Sequence, residues 1–150
     1  MTLAPVWAWV EATGVATAMR QSSWLYPVVE VVHLLGLGTV VGSAVLIDLR
    51  LLGRSPGVPL AGVLAHAVPV ALCAAGVAVA SGLTLFSAHA VTLAVNPVFR
   101  WKLVLLAAAG LNALGYHRLR PGRVGTRVHA AASLLLWAAV VTCGRFLAYV

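Results

Sequence analysis

Four long apolar stretches, separated by short polar segments, constrain the fold of this chain more than any other feature of its sequence. The stretches cover about 24–49, 61–89, 98–116 and 128–150. An α-helix needs about 20 predominantly apolar residues to cross the hydrocarbon core of a bilayer, and short loops make neighbouring helices antiparallel. The sequence therefore predicts an all-α fold, a transmembrane four-helix bundle that forms a single membrane domain over 1–150.

The low charge content of the chain excludes two other classes of protein. Charged residues make up 9% and hydrophobic residues 62% of the 150 residues, whereas a soluble domain has about 25% charged and about 45–50% apolar residues. So few charges cannot cover a surface that faces water, and disorder requires low hydrophobicity with high charge. The class that remains is an integral membrane protein, with no room for a soluble catalytic domain beside four spans.

Residues 1–21 carry tryptophans and charges in place of an uninterrupted apolar run. No basic residue precedes Arg20, whereas a signal peptide begins with positive charge. We expect one interfacial amphipathic helix from about Pro5 to Met19, with Trp7 and Trp9 at the level of the lipid headgroups.

Basic residues gather on one side of the four predicted spans. Six arginines follow the first span or separate the third span from the fourth, namely Arg50, Arg54, Arg118, Arg120, Arg123 and Arg127. Basic residues collect in cytoplasmic loops, so we expect a bacterial cytoplasmic (inner) membrane protein with both termini outside. Topology thus explains the net charge of +7 without a nucleic-acid partner. The expected partners are the lipid bilayer and either further copies of the chain or other membrane subunits.

Ionisable residues in the outer half of the spans form a first candidate site, because such residues are costly in hydrocarbon. The members are Glu30 and His33 in the first span, Lys102 in the third and Arg145 in the fourth. Glu30 and His33 share a helix face at i, i+3, and residues level with His33 lie near Ser81, Leu106 and Val140. We expect the three charged side chains to meet near the outer surface, with His33 just below them. They form either ion pairs between helices, with both cations reaching the headgroups, or a cofactor, ion or proton site that opens outward.

Polar residues at the inner ends of the spans form a second candidate site. Its members are Asp48, Arg50, His66, Asn112, His117 and His129. The three histidines are either a converging set of metal or haem ligands or interfacial side chains that water solvates. Asp48 with Arg50 is interpreted as a positional anchor or a local ion pair.

Membrane histidines make b-type haem the first candidate cofactor and copper the second. His33 has no histidine partner at its own depth, and His117 lies roughly 20 Å away along the helix axis, so one haem cannot take both. His66 with His117 or with His129 fits a haem near the inner surface. His33 fits haem without a second histidine or across a dimer, and with Glu30 it is a candidate metal ligand. A di-iron carboxylate site is excluded, because the chain has 3 acidic residues and such a site needs four carboxylates.

No catalytic motif of the GxSxG, HExxH or glycine-rich phosphate-loop type occurs in the sequence. We therefore assign no catalytic residue and do not expect an enzyme on its own. The expected function is a cofactor- or metal-binding membrane subunit, for b-type haem electron transfer or copper handling. The alternatives are a non-catalytic anchor or assembly subunit of a larger complex and a small oligomeric ion or proton transporter.

A set of short motifs from Trp24 onwards resembles one known family. The motifs are Trp24-Leu25-Tyr26-Pro27, Glu30-Val31-Val32-His33-Leu34-Leu35-Gly36, Asp48-Leu49-Arg50-Leu51-Leu52-Gly53, Asn96-Pro97-Val98-Phe99 with Lys102, Asn112 with His117, Trp137, and Gly144-Arg145 with Tyr149. They are similar to an uncharacterised family of small bacterial four-helix integral membrane proteins, a domain of unknown function. The resemblance implies four spans and a membrane location, and it implies no reaction. At the level of fold the chain also resembles copper-resistance D membrane proteins and b-type cytochrome bundles. His66, His89 and His129 lie outside the family pattern.

Overall fold

The computed structural model describes residues 4–54, 56–119, 121–147 and 149. Within these residues the chain is helical and has no strand, which confirms the all-α prediction. The helices are α1 (Ala4–Glu11), α2 (Gly14–Gln21), α3 (Leu25–Leu51), α4 (Leu60–Ala88), α5 (Ala90–Val95), α6 (Pro97–Leu119) and α7 (Arg123–Phe146).

Four of these helices, α3, α4, α6 and α7, are long and apolar enough to cross a membrane. They have 27, 29, 23 and 24 residues, against about 20 needed to span the hydrocarbon core. The prediction of four long apolar helices is therefore confirmed.

The fourth long helix begins earlier than the sequence predicts. A span was expected from about 128, but α7 starts at Arg123, since Gly122 is its N-cap and the Thr126 N–H donates to the Gly122 carbonyl at 2.9 Å. Much of the basic segment before 128 is thus helical. Arg120 and the last residue of the predicted span lie outside the described residues.

Helix α3 ends in a Schellman motif. The Arg54 N–H donates to the Leu49 carbonyl at 3.0 Å. The Gly53 N–H donates to the Arg50 carbonyl at 3.1 Å, and this pair of bonds satisfies the last carbonyls of a helix. The φ angle of Gly53 is 84°, a left-handed conformation that glycine adopts without steric cost.

The N-terminal segment is two helices, so the prediction of one helix over 5–19 is wrong. Thr13 is extended, with φ −64° and ψ 152°, and it is the N-cap of α2. Its Oγ1 accepts from the Ala16 N–H at 3.4 Å and donates to the Val10 carbonyl at 2.7 Å. Threonine is a favoured N-cap because its hydroxyl satisfies an N–H that the first turn leaves without a partner. The chain therefore restarts its helix here.

The chain divides into two packing units. Unit 1 takes the residues up to Val40 and Leu72–Asn96, and unit 2 takes Val41–Ala71 and the residues from Pro97 onwards. Unit 1 thus holds α1, α2 and α5 with parts of α3 and α4. Unit 2 holds α6 and α7 with the remaining parts of α3 and α4.

A close approach of α3 to α4 organises unit 1. A Cβ atom at Gly36 would lie 3.1 Å from the Ala78 nitrogen and 3.2 Å from the Ala74 carbonyl oxygen. Both neighbours are backbone atoms, which cannot move aside as a flexible side chain can. Glycine at this position therefore lets the two helix backbones come together, as small residues do between helices in lipid.

Arg20 and Glu11 attach the N-terminal helices to the junction of α4 and α5. Arg20 donates through Nη1 to the Ala88 carbonyl at 3.1 Å and through Nη2 to the Glu11 carbonyl at 2.7 Å. The Glu11 carboxylate accepts from the Val91 N–H at 2.8 Å. These charges therefore join α1 and α2 to the rest of unit 1.

Substitution of Gly36 by alanine is expected to destabilise the protein by about 1–3 kcal/mol, because overpacking forces backbone shifts. The matched control is Gly38→Ala, where a Cβ atom would have nothing within 4 Å and helix propensity favours alanine. Unfolding titrations of both variants in mild detergent measure the difference. Equal free energies of unfolding for the two variants would contradict the close contact.

Substitution of Arg20 by lysine is expected to free α1, because one ammonium group cannot reproduce two bonds from a planar guanidinium. Amide hydrogen exchange should accelerate in α1 and at the start of α5 and stay unchanged in α6 and α7. Gln21→Ala, an exposed neighbour on α2, is the control and should exchange as the wild type does. Unchanged protection of α1 in the Arg20 variant would show that these bonds do not hold it.

Candidate functional site

His33 is half-buried on α3, and its ring is bound by α4. Its Nδ1 atom lies 2.9 Å from the Ala78 carbonyl oxygen and 3.2 Å from Ser81 Oγ. A carbonyl oxygen can only accept a hydrogen bond, so Nδ1 carries the proton and the lone pair of the neutral ring is on Nε2. The expected level of Ser81 beside His33 is confirmed by this contact.

Gly82 makes room for the His33 ring against α4. A Cβ atom at Gly82 would lie 3.0 Å from His33 Cε1 and 3.3 Å from Nδ1. The Ser81 hydroxyl donates to the Val77 carbonyl at 2.6 Å, which leaves its oxygen lone pairs to accept from the imidazole. The His33 ring is thus fixed in both orientation and tautomer.

The other members of the outer group lie in different units. Glu30 is exposed on α3 in unit 1, whereas Lys102 and Arg145 belong to unit 2. Lys102 Nζ would lie 3.8 Å from a Cβ atom at Gly144. Arg145 stacks over the Tyr149 ring, 4.8 Å from its centroid, and donates to the Tyr149 hydroxyl. The meeting of the three charged side chains stays a prediction.

His129 and Asn112 join α7 to α6 through two hydrogen bonds. Asn112 Nδ2 donates to the His129 carbonyl at 3.0 Å, and His129 Nδ1 donates to Asn112 Oδ1 at 2.8 Å. The Tyr116 ring meets the imidazole edge-on, with centroids 6.2 Å apart. A Cβ atom at Gly115 would lie 3.4 Å from His129 Cε1. This histidine therefore connects α7 to α6 within unit 2.

The rings of His66, His117 and His129 do not share one site, although His117 and His129 both pack against Tyr116. His66 is exposed and its Nδ1 donates to the carbonyl of Gly62 on its own helix at 3.0 Å. His117 is exposed and packs edge-on against Tyr116, with centroids 5.6 Å apart. Among the described residues no group of three or more His, Cys, Asp or Glu could hold a metal ion. The hypothesis of a three-histidine metal cluster is therefore corrected, because the three rings do not form a group that could share one ion. A haem between two of these histidines stays a prediction.

Asp48 is buried, with 5% of its surface exposed, near the C-terminal end of α3. The Ser133 hydroxyl of α7 lies beside its carboxyl group, and Oδ2 has no partner among the described residues. Arg50 donates through Nε to the Val58 carbonyl. Asp48 thus faces the interior of unit 2 more than an interfacial anchor would. Ser133 was not predicted, although its i+4 spacing from His129 places the two on one face of α7.

Substitution of Asn112 by alanine is expected to destabilise unit 2, because it leaves the His129 carbonyl and Nδ1 without the amide. Side-chain hydrogen bonds between membrane helices contribute about 0.6 kcal/mol on average and about 1.7 at most, so two bonds predict roughly 1–3 kcal/mol. The control Thr142→Ala removes a bond that stays within α7. Unfolding titration in detergent compares the two variants, and a loss no larger than that of the control would contradict a tie between helices.

Comparison with known proteins assigns the chain to no family. No protein-family model, no curated protein and no solved structure matches the chain. The resemblance to small bacterial four-helix membrane proteins therefore stays an expectation. Any proposal about function depends on the geometry of the described residues.

Proposed function

We propose that the chain is a multi-pass protein of a bacterial cytoplasmic membrane that holds a b-type haem through His33 and serves electron transfer. Its four long helices form a bundle in the bilayer, with both termini outside. The four apolar helices and the basic residues on one side of them support this location.

The fixed imidazole of His33 is the observation that carries the proposal. Histidines that ligate metals almost always donate the other ring N–H to a carbonyl, a carboxylate or water, which sets the tautomer and the ring orientation. His33 Nδ1 has such a carbonyl in Ala78 at 2.9 Å. Gly82 leaves the ring the space it occupies. The chain thus prepares Nε2 to bind iron.

The surroundings of His33 favour haem over a copper ion. Haem iron takes four ligands from the porphyrin and one or two from the protein, whereas a copper ion takes nitrogen and sulfur ligands from side chains. The contacts of His33 on α4 include the Ala78 carbonyl and the Ser81 hydroxyl, which are oxygen groups and not the nitrogen and sulfur ligands that copper takes. Bound haem would supply one-electron chemistry. Any second protein ligand to the haem would come from another copy of the chain or from a partner membrane subunit.

The optical spectrum of the purified protein tests the proposal. Protein expressed with ample haem should show a Soret band that shifts on reduction, and His33→Asn should lose it. Asparagine can still donate an N–H to the Ala78 carbonyl but has no imidazole, so helix packing is retained. The matched control His66→Ala, which removes an exposed histidine of α4, should keep the band.

Two outcomes would contradict haem binding through His33. One is a wild-type protein that stays colourless after expression with haem and after addition of haem to the purified protein. The other is a Soret band that survives in folded His33→Asn. A colourless protein that retains copper would support the copper alternative. A colourless protein that purifies with other membrane subunits would support the anchor alternative.

A further inference from the structure

A groove between the end of α3 and the start of α4 runs through unit 2 without using any residue of the His33 site. Its walls are mostly apolar, with Leu46 from α3 and Val63 and Val70 from α4. Arg50 lines the end near the C-terminus of α3, and His66 lies between Val63 and Val70 along α4. The groove therefore has a basic end at Arg50 and an apolar end at Val70.

The length of the groove matches one leaflet of a bilayer. Val70 lies ten residues beyond the start of α4, which is about 15 Å along the helix axis at 1.5 Å per residue. Half of a hydrocarbon core about 30 Å thick is the same distance. Arg50, near the last residue of α3, lies at the other end of this interval. The groove thus extends from the membrane face to about the bilayer midplane.

The basic end is built to hold an anion. Arg50 donates through Nε to the Val58 carbonyl, which holds the guanidinium at the groove while its two terminal nitrogens carry donors that match a phosphate. His66 is fixed by its bond to the Gly62 carbonyl at 3.0 Å. The described residues that line the groove include no carboxylate. Charge therefore favours an anionic headgroup over a zwitterionic one.

We propose that this groove binds an anionic phospholipid of the cytoplasmic leaflet, with the phosphate at Arg50 and His66 and one acyl chain along the apolar walls. Anionic lipids concentrate in that leaflet, and basic pockets between membrane helices bind their headgroups. The acyl chain buries apolar side chains that are otherwise exposed, Leu46 at 63% and Val70 at 49%. The proposal uses only residues of unit 2, so its test does not depend on whether His33 binds haem.

Native mass spectrometry of the full chain, delipidated and then given equal amounts of phosphatidylglycerol and phosphatidylcholine, tests the proposal. The wild type should retain phosphatidylglycerol in preference. Arg50→Gln should lower that preference about fivefold, the effect of one basic residue near anionic lipid. Arg54→Gln, the exposed loop arginine outside the groove, is the matched control and should change it little.

A second pair of variants tests the acyl-chain part of the groove. Val70→Trp fills the groove and should abolish preferential retention of phosphatidylglycerol. Val77→Trp makes the same change at an exposed valine of α4 outside the groove and should leave retention intact. Inorganic phosphate should not displace the lipid, since it lacks the acyl chain.

Three results would overturn the lipid site. They are equal retention of both lipids by the wild type, equal effects of the Arg50 and Arg54 variants, and full retention by Val70→Trp. The second result would assign the preference to the general positive charge of that membrane face.

Discussion

The approach of α3 to α4 at two glycines is the constraint on which unit 1 depends. Gly36 lets the backbones come within contact distance, and Gly82 admits the imidazole of His33. Only at that separation can His33 Nδ1 reach the Ala78 carbonyl at 2.9 Å. The Ala78 carbonyl lies within α4, so its oxygen accepts the imidazole N–H in addition to its backbone hydrogen bond within the helix. Glycine at these two positions thus allows a polar side chain on an apolar helix to form its hydrogen bond.

In unit 2, too, polar side chains on apolar helices form hydrogen bonds with a neighbouring helix. Asn112 binds both the carbonyl and the ring of His129, so a polar pair on α6 and α7 forms hydrogen bonds between two long apolar helices. Asp48 does so only in part, since the Ser133 hydroxyl lies beside its carboxyl group but Oδ2 has no partner among the described residues. A polar atom that is buried without a partner is costly.

Length and hydropathy decide whether a helix can cross a bilayer, so the four long helices could be predicted from sequence. The break at Thr13 could not, because threonine suits both a helix interior and an N-cap. The helix that the His33 side chain faces could not be predicted either. Residue spacing places Ser81 at the level of His33, but a helix that is apolar on all sides has no apolar stripe to show which neighbour it faces. The contacts of His66 and His117 could not be predicted for the same reason, because they depend on how each helix is rotated about its own axis.

The tautomer of His33 bears on the choice between a helix tie and a ligand. A bond to the Ala78 carbonyl needs only a donor, and the smaller side chain of serine or threonine would supply one. Imidazole brings a second nitrogen as well, whose lone pair has to be accommodated. In the proposed haem site, iron would bind that nitrogen, and the bond from Nδ1 and the space at Gly82 would contribute to orienting the ring. The same contacts that pack α3 against α4 would in this way orient the histidine that holds the haem.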